Sequence, residues 1–301
     1  MTGLVWYATA QVERYAPSPP SANLAPHPNF NRVCAVIGEA SSACTAATVS
    51  ALDQARRDEG IGPLYLPRTW SKLTPAEQLF VIVNLERTAR GEVPITGLTA
   101  GLDNVAAAGA RSQQDPLVGM PAAPVVSVWA RTPGPLASDY DWMYDDGFGG
   151  VGRTLNVDCT SAMAPGCWEH RANILAEWRT RLLAGIPGTW YLAAGAAQVT
   201  VSVGLPFSGP REESDALLVT AYPSPPTYVY TWRQALAAGA GNPRRGWSPV
   251  APSWLKWVRI GLDADRVPLV MTAVLVAGLS VWTLKRLPLR TVSARSRSRW
   301  P

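Results

Sequence analysis

The chain has 301 residues, of which 47% are hydrophobic and 16% charged. That is enough for one substantial globular domain with additional segments. Its formal net charge of +5 is misleading, because the last 17 residues hold six of the 27 Lys and Arg residues and no acid. The rest of the chain has 21 basic and 22 acidic residues and is therefore close to neutral. This balance argues against a nucleic-acid-binding surface on the folded domain.

The first 30 residues form a Pro-rich segment that we predict to be disordered. Residues 1–7 are mostly apolar, but no basic residues precede them, as they would in a secretory signal peptide. An exported domain would therefore depend on another signal or on a different start. His27, one of two histidines in the chain, is interpreted as a surface residue of this segment.

Hydrophobic periodicity predicts three helices in the next part of the chain. The first covers residues 45–60. The second has the clearest start, because Thr74 and Glu77 form a capping box with a proline between them. Its apolar residues cover most of its circumference, so we expect it to be the central buried helix. The third follows an apolar stripe over 98–109 and ends before Pro116.

Residues 121–141 are predicted to be irregular, apart from a short strand near residue 125. An acidic run then surrounds Trp142 and consists of Asp139, Asp141, Asp145 and Asp146. Such a run can bind a cation through its oxygen atoms, although the spacing does not match an EF-hand loop. The other interpretation is a solvated loop whose aspartates make turns and caps.

His170 opens a segment with helical apolar spacing. Ile174, Trp178 and Leu182 recur behind it, which predicts an amphipathic helix with the imidazole on its apolar side. The side chain would then point into the fold or into a cleft beside it. A functional histidine and a packing histidine that orders the 159–167 loop both fit this pattern.

Two strands are predicted after this helix. Residues 198–204 alternate with β-branched side chains, and residues 217–222 are their expected partner. Helices around a small antiparallel sheet make an α+β fold. The predicted globular domain spans residues 31–225.

The composition shifts toward Pro, Gly, Ala, Arg and Trp over residues 226–266, which predicts a linker that approaches a membrane interface. Residues 267–284 carry no charge and would span about 27 Å as a helix. They predict one transmembrane helix, the alternative being a buried helix of a soluble protein. The basic tail, residues 285–301, would stay in the cytoplasm, so residues 1–265 would lie outside the membrane.

The four cysteines form two close pairs, Cys34/Cys44 and Cys159/Cys167. Neither pair has C-x-x-C spacing, and a zinc site would need His170 as its nitrogen ligand with unusual spacing. We favour two disulfides, each of which closes a short loop. Disulfides would place the domain in an oxidising compartment.

Two sequence motifs resemble the bacterial CAP superfamily, whose relatives are the cysteine-rich secretory, antigen 5 and plant pathogenesis-related proteins. The first is similar to the family's W-x-x-S-x-G-H-R-x-N-I-L signature, with an insertion in the middle: Trp142-Met143-Tyr144 and His170-Arg171-Ala172-Asn173-Ile174-Leu175. The second is similar to the N-x-x-R-x-x-x-G-L opening: Asn84-Leu85-Glu86-Arg87, Gly91 and Leu98. Residues 51–67 loosely echo this opening, and the strand at 198–204 resembles the strand that follows the signature.

The resemblance implies an α-β-α sandwich that is secreted, carries disulfides and binds a ligand in a cleft. Family members with a metal site use two histidines and two acidic residues. Where the family has its first histidine, this chain has Arg111, Gln113, Gln114 and Asp115, so we expect neither a metal nor a cofactor. The candidate ligand-binding residues are His170, Asp145, Asp146 and Asp115.

The predicted function is a membrane-anchored, extracytoplasmic module at the bacterial cell surface, which binds an unidentified ligand or protein without catalysis. The alternative is a cell-envelope hydrolase in which His170 acts as general acid or base beside an aspartate. The sequence has neither a G-x-S-x-G nor an H-E-x-x-H motif. A third interpretation is a structural spacer.

Overall fold

The computed structural model describes residues 30–38, 41–119, 123–146, 167–202 and 211–249. These residues form an α+β fold. The elements are α1 (Phe30–Ile37), α2 (Ser42–Asp58), α3 (Pro75–Ala89), β1 (Gly97–Leu98), α4 (Ala100–Ser112), β2 (Val125–Arg131), α5 (Pro135–Tyr144), α6 (Glu169–Ile174), β3 (Tyr191–Ser202), β4 (Arg211–Tyr222), β5 (Tyr230–Thr231) and α7 (Trp232–Ala237). A 3-10 turn at Trp70–Lys72 and a π-helical turn at Trp178–Leu182 complete them.

The sheet is mixed, with the strand order β2-β4-β3-β1-β5. Strand β4 pairs antiparallel with β3 on one side and with β2 on the other. Strand β1 runs parallel to β3 and antiparallel to β5. The predicted antiparallel sheet is therefore wrong at this edge, since β1 pairs in parallel with β3 and makes the sheet mixed.

Helices cover both faces of the sheet. Val126, Val128 and Ala130 of β2 alternate with more exposed residues and enter the main core, which also contains buried residues of α3 and α5. Ala193 and Leu218 face the other way and pack with Leu102 and Ala106 of α4. Because side chains alternate between the two faces, each face of the sheet carries its own apolar cluster.

Gly195 allows α4 to lie close on the sheet. A Cβ atom at this position would collide with the backbone of Leu102 and Asp103. Glycine inside a strand commonly marks such a close approach of another backbone.

Helix α3 is confirmed as the central buried helix. The backbone N–H of Glu77 donates to Thr74 Oγ1 at 3.3 Å, and the N–H of Thr74 donates to Glu77 Oε2 at 2.8 Å. These two bonds complete the predicted capping box. Every residue from 79 to 87 is buried, so charged side chains on this helix must find partners inside the protein.

Two local predictions are wrong. Residues 135–141, predicted to be irregular, belong to α5, which starts with Pro135 after Gly134 at φ +97°. The acidic run is therefore partly helical and buried, and Asp139 has 0% exposure. The predicted helix behind His170 also stops early, since α6 ends at Ile174 and the π-helical turn follows separately.

The predicted linker at 226–266 is wrong over residues 226–249. Strand β5 completes the sheet beside β1, and Trp232 and Ala235 of α7 are buried in the core. The backbones of Leu66 and Trp247 exchange hydrogen bonds of 2.8 and 2.7 Å. The proline cluster at 223–226 is therefore a turn within the domain and not its boundary.

The disulfide Cys34–Cys44 is confirmed and ties α1 to α2. Cys167 is disulfide-bonded as well, while Cys159, its predicted partner, lies outside the described residues. Also outside them are the N-terminal segment with His27, the apolar segment 267–284 and the basic tail. Among the described helices, none has the length and apolar character needed to cross a membrane.

Candidate functional site

The structure brings together three of the four predicted ligand-binding residues. Nδ1 of His170, in the first turn of α6, lies 3.0 Å from Oδ1 of Asp146. Its Nε2 lies 3.4 Å from Oδ1 of Asp115. Asp115 follows α4 and Asp146 follows α5, so the ends of two helices meet the start of a third.

Asp146 positions both the imidazole and the helix that carries it. Its side chain is 2% exposed, and its Oδ2 accepts the backbone N–H of Arg171 at 3.1 Å. The carboxylate therefore satisfies one of the N–H groups that the first turn of a helix leaves unpaired. Asp146 is a positioning residue for His170.

Asp115 is the exposed partner, with 45% of its side chain accessible. Gln113, directly after α4, has a left-handed conformation with φ +52°. The N–H of Gln114 bonds back to the carbonyl of Gly109 at 3.2 Å. A Cβ atom at Gly109 would meet Pro116 at 2.9 Å. This tight reversal is what turns Asp115 toward His170.

Asp145, the fourth predicted residue, occupies a different place. Its backbone N–H donates to the carbonyls of Tyr140 and Asp141 at 3.2 Å and ends α5. Within the described residues, the ion pairs of His170 involve Asp115 and Asp146 and not Asp145.

The two carboxylates decide the protonation of His170. Burial disfavours the charged imidazolium, but Asp146 and then Asp115 outweigh this effect and raise the pKa of His170 well above its usual value of 6.5. This shift favours the imidazolium, in which both ring nitrogens carry a proton and face the carboxylates of Asp146 and Asp115. In this state neither nitrogen has a lone pair to accept a proton or to bind a metal.

The two ring nitrogens of His170 point in diverging directions, and each faces one carboxylate. The described residues contain no group of three or more His, Cys, Asp or Glu side chains suited to a metal ion.

We expect NMR titration to show that His170 stays protonated well above pH 6.5. The Asp146→Asn variant should lower the pKa of His170 more than Asp115→Asn, because the Asp146 contact is shorter and its side chain is 2% exposed, against 45% for Asp115. The exposed pair is screened by solvent. A His27→Gln variant assigns the signal. Titration of His170 near its usual value, or unchanged in Asp146→Asn, would contradict this account.

The raised pKa of His170 makes the free energy of unfolding depend on pH in a defined direction. The pKa of His170 is higher in the folded chain than in the unfolded one. Protonated His170 therefore contributes its full stabilisation below about pH 6.5, and this contribution is lost as the pH rises through the pKa of the folded state. The free-energy difference between the wild type and His170→Gln should shrink in that upper range. Urea unfolding at several pH values measures it.

The residue next to His170 belongs to a buried ionic cluster that the sequence does not predict. Arg171, next to His170, donates to both carboxylate oxygens of Glu59 at 2.9 Å and to the carbonyl of Met143 at 2.6 Å. Glu59 also pairs with Arg90 at 2.7 Å. The Arg171, Glu59 and Arg90 side chains are 2, 6 and 8% exposed, so this is an ion-pair network inside the core.

The cluster extends to α2 through Glu86, whose side chain is fully buried. Its carboxylate pairs with Arg56 at 2.7 Å and with Arg90, and it accepts the hydroxyl of Tyr144 at 3.0 Å. One signal was visible in the sequence: opposite charges stand at helical spacing within apolar helices. Such charges must pair when the whole helix is buried.

Other residues of the two motifs hold the backbone around the site. Arg87 donates to the carbonyls of Val93, Ile174 and Ala176. Asn84 exchanges two hydrogen bonds with the backbone of Ile95, at 2.7 and 3.2 Å. These roles give a physical reason for an Asn and an Arg three residues apart on a buried helix.

Asp139 is a buried carboxyl group beside this cluster. It has 0% exposure, and neither of its oxygens accepts a hydrogen bond from the described residues. Burial, reinforced by Glu86 and opposed by Arg56, raises the pKa of Asp139 well above 3.8. The ionised carboxylate of Asp139 therefore opposes folding. It lowers the free energy of unfolding once the pH rises above the pKa that Asp139 has in the unfolded chain.

We expect Asp139→Asn to stabilise the protein at neutral pH by about 1–2 kcal/mol, since the amide has a similar shape and no charge to bury. The gain should disappear near pH 3, where the carboxyl is protonated in both states. Urea unfolding of this variant, with the exposed substitution Asp58→Asn as a control, provides the measurement. A destabilised Asp139→Asn variant would mean that the carboxylate is ionised and supports the cluster.

No family model matches the chain, and neither the curated proteins nor the solved structures show a match to it.

Proposed function

We propose that this chain is a membrane-anchored, extracytoplasmic domain of the CAP type that binds a ligand or a protein partner at the bacterial cell surface without catalysis. The proposed binding surface is centred on the exposed carboxylate of Asp115 and the imidazolium of His170. The apolar segment 267–284 is the proposed anchor.

The observation that carries the proposal is the pairing of both imidazole nitrogens with carboxylates, at 3.0 Å for Asp146 and 3.4 Å for Asp115. A general base or a metal ligand needs a free nitrogen lone pair. A doubly paired imidazolium instead presents fixed charge, which suits recognition. Asp115 remains 45% exposed, so its second oxygen can accept a hydrogen bond from a partner.

The CAP assignment is supported by three features taken together. The described part of the chain has helices on both faces of a sheet. The motif residues Asn84, Arg87 and Arg171 make buried contacts that hold the site. The Cys34–Cys44 disulfide agrees with an oxidising compartment.

Site-specific photo-crosslinking in intact cells tests the binding role. A photoreactive residue at position 117, where Leu117 is 76% exposed and two residues from Asp115, should give a discrete adduct. The adduct should be lost when Asp115→Asn or His170→Gln is added, and position 36, where Val36 is 61% exposed, serves as the control. Equal labelling at both positions would favour a structural spacer.

Thiol labelling tests the location separately. A membrane-impermeant maleimide should label intact cells only after reduction, because the paired cysteines would lie outside the membrane as disulfides. Strong labelling after lysis without a reductant, and none in intact cells, would place free thiols in the cytoplasm and overturn the proposed topology.

A second candidate function is a hydrolase, favoured by the 3.0 Å contact between His170 and the buried Asp146. A positioned imidazolium can act as a general acid even when it cannot act as a base. Asp115→Asn would then release Nε2 without removing the positioning carboxylate. Activity toward a cell-wall substrate that is lost in His170→Gln but retained in Asp115→Asn would support the hydrolase over the binding module.

A further inference from the structure

A cavity of about 620 Å³ lies near the start of α5, whereas Asp146 and His170 lie beyond its end. Its volume is within the range of about 300–1,000 Å³ that is usual for small-molecule sites. The N-terminal turns of α2 and α5 form part of its wall, and strands β3 and β4 contribute Gln198 and Glu213. The His170 site and this cavity share no lining residue.

Two tryptophans line the cavity, and both are held in place. Trp70 is 5% exposed, and its carbonyl accepts the side-chain amide of Gln78 at 2.9 Å. Trp247 is 39% exposed, and its backbone is paired with Leu66 in an isolated bridge. The backbone that carries this indole is therefore paired, and the ring itself remains partly accessible to a ligand.

The polar side chains of the cavity offer unused hydrogen-bonding groups. Ser42, Ser71 and Gln198 line it, and none of their side chains is hydrogen-bonded to another described residue. Hydroxyl and amide groups both donate and accept. A ligand that satisfies them must also do both.

The charges of the cavity cancel. Arg68 and Glu213 are its two ionisable lining residues with opposite charge. The guanidinium of Arg68 also donates to the carbonyl of Arg244 at 3.3 Å, and Glu213 accepts the hydroxyl of Thr200 at 3.2 Å. An anion would meet the carboxylate and a cation would meet the guanidinium, so a neutral ligand fits best.

We propose that this cavity binds a neutral saccharide. The face of an indole ring is electron-rich and attracts the polarised C–H groups on the apolar face of a sugar ring. Sugar hydroxyls donate and accept, as the serine and glutamine side chains require. A fatty acid would leave these polar groups unpaired, and a phosphate would face Glu213.

A disulfide and a helix cap hold the part of the cavity wall that contains Cys44. Cys44 lines the cavity and is bonded to Cys34, and its backbone N–H donates to the capping Ser41 hydroxyl at 3.1 Å. Side chains held by packing and by secondary contacts keep a binding geometry without reorganisation. This site lies beyond the binding surface proposed at His170 and does not depend on it.

The test is a titration of the full-length chain, prepared without glycoside detergents, with N-acetylchitotetraose, cellotetraose and maltotetraose. At least one probe should bind saturably and change tryptophan fluorescence. Trp247→Leu, which keeps an apolar side chain but removes the ring, should weaken binding roughly three- to tenfold. Gln198→Ala should weaken it as well, whereas Leu236→Ala and Gln54→Ala, exposed positions outside the cavity, should bind like the wild type.

Three results would overturn the proposal. The first is an absence of binding by all three tetrasaccharides at millimolar concentration. The second is wild-type affinity in folded Trp247→Leu and Gln198→Ala, with folding checked by urea unfolding. The third is saturable binding of inorganic phosphate or palmitate that the same two variants abolish, because the cavity would then belong to another class of ligand.

Discussion

Replacing Glu86 with alanine is expected to lower the free energy of unfolding by about 3–5 kcal/mol, because removal of one partner leaves buried charges uncompensated. The carboxylate pairs with Arg56 and Arg90, whose side chains are 4 and 8% exposed. Tyr144 also loses its acceptor at 3.0 Å. Urea unfolding of the full-length chain measures the loss.

The matched control is Glu212→Ala. Glu212 pairs with Arg131 at 2.8 Å, but the side chains are 41 and 27% exposed. Pairs exposed to solvent contribute little, so this variant should lose less than about 1 kcal/mol. Equal losses in the two variants would mean that the buried cluster does not stabilise the fold through its charges.

The contribution of Glu86 also has a predictable pH dependence. Burial by itself would raise its pKa, but Arg56 and Arg90 outweigh this effect and lower the pKa of Glu86 below 4.5. A carboxylate whose pKa is lowered in the folded state stabilises the protein at pH values above its pKa in the unfolded chain. This stabilisation is lost as the pH falls through its pKa in the folded state. The difference in free energy of unfolding between the wild type and Glu86→Gln should therefore become smaller at acidic pH.

The Arg87→Met variant is expected to lose about 2–4 kcal/mol and to loosen the chain around His170. The guanidinium donates to the carbonyls of Val93, Ile174 and Ala176, which would become unpaired inside the protein at a cost of about 1–3 kcal/mol each. Part of the loss is offset, because burial of the charge is itself unfavourable and lowers the pKa of Arg87 to about 10.

Two readouts separate this effect from a general loss of stability. Hydrogen exchange should quicken at residues 170–176 before it quickens in β3, because Ile174 and Ala176 lose their donors. The pKa of His170 should fall toward its usual value as α6 moves away from Asp146. Arg57→Met is the control, since Arg57 is exposed and bonds to Gln54 at 2.8 Å. A variant with uniform exchange and an unchanged His170 pKa would contradict the bracing role.

Local sequence signals predicted the features that neighbouring residues decide. The capping box of Thr74 and Glu77 forms as expected, because both bonds lie within one helical turn. Cys34 and Cys44 are ten residues apart and form the predicted disulfide. The pairing of His170 with Asp146 and Asp115 was expected only as a cluster of candidates, and the CAP resemblance, the ligand and the membrane anchor remain predictions.

The tertiary structure decided what depends on contacts between distant parts of the chain. Residues 226–249 have the composition of a linker, but they are folded, and β5 pairs antiparallel with β1 at the edge of the sheet. The ion pair between Glu59 and Arg171 joins residues 112 positions apart, and no local pattern can predict which buried charges will meet. Short-range patterns were therefore sufficient for the start of α3 and for the Cys34–Cys44 bond. The edge of the sheet, the ionic cluster and the cavity depend on packing, because most buried charges and strand edges pair with groups that are distant in the sequence.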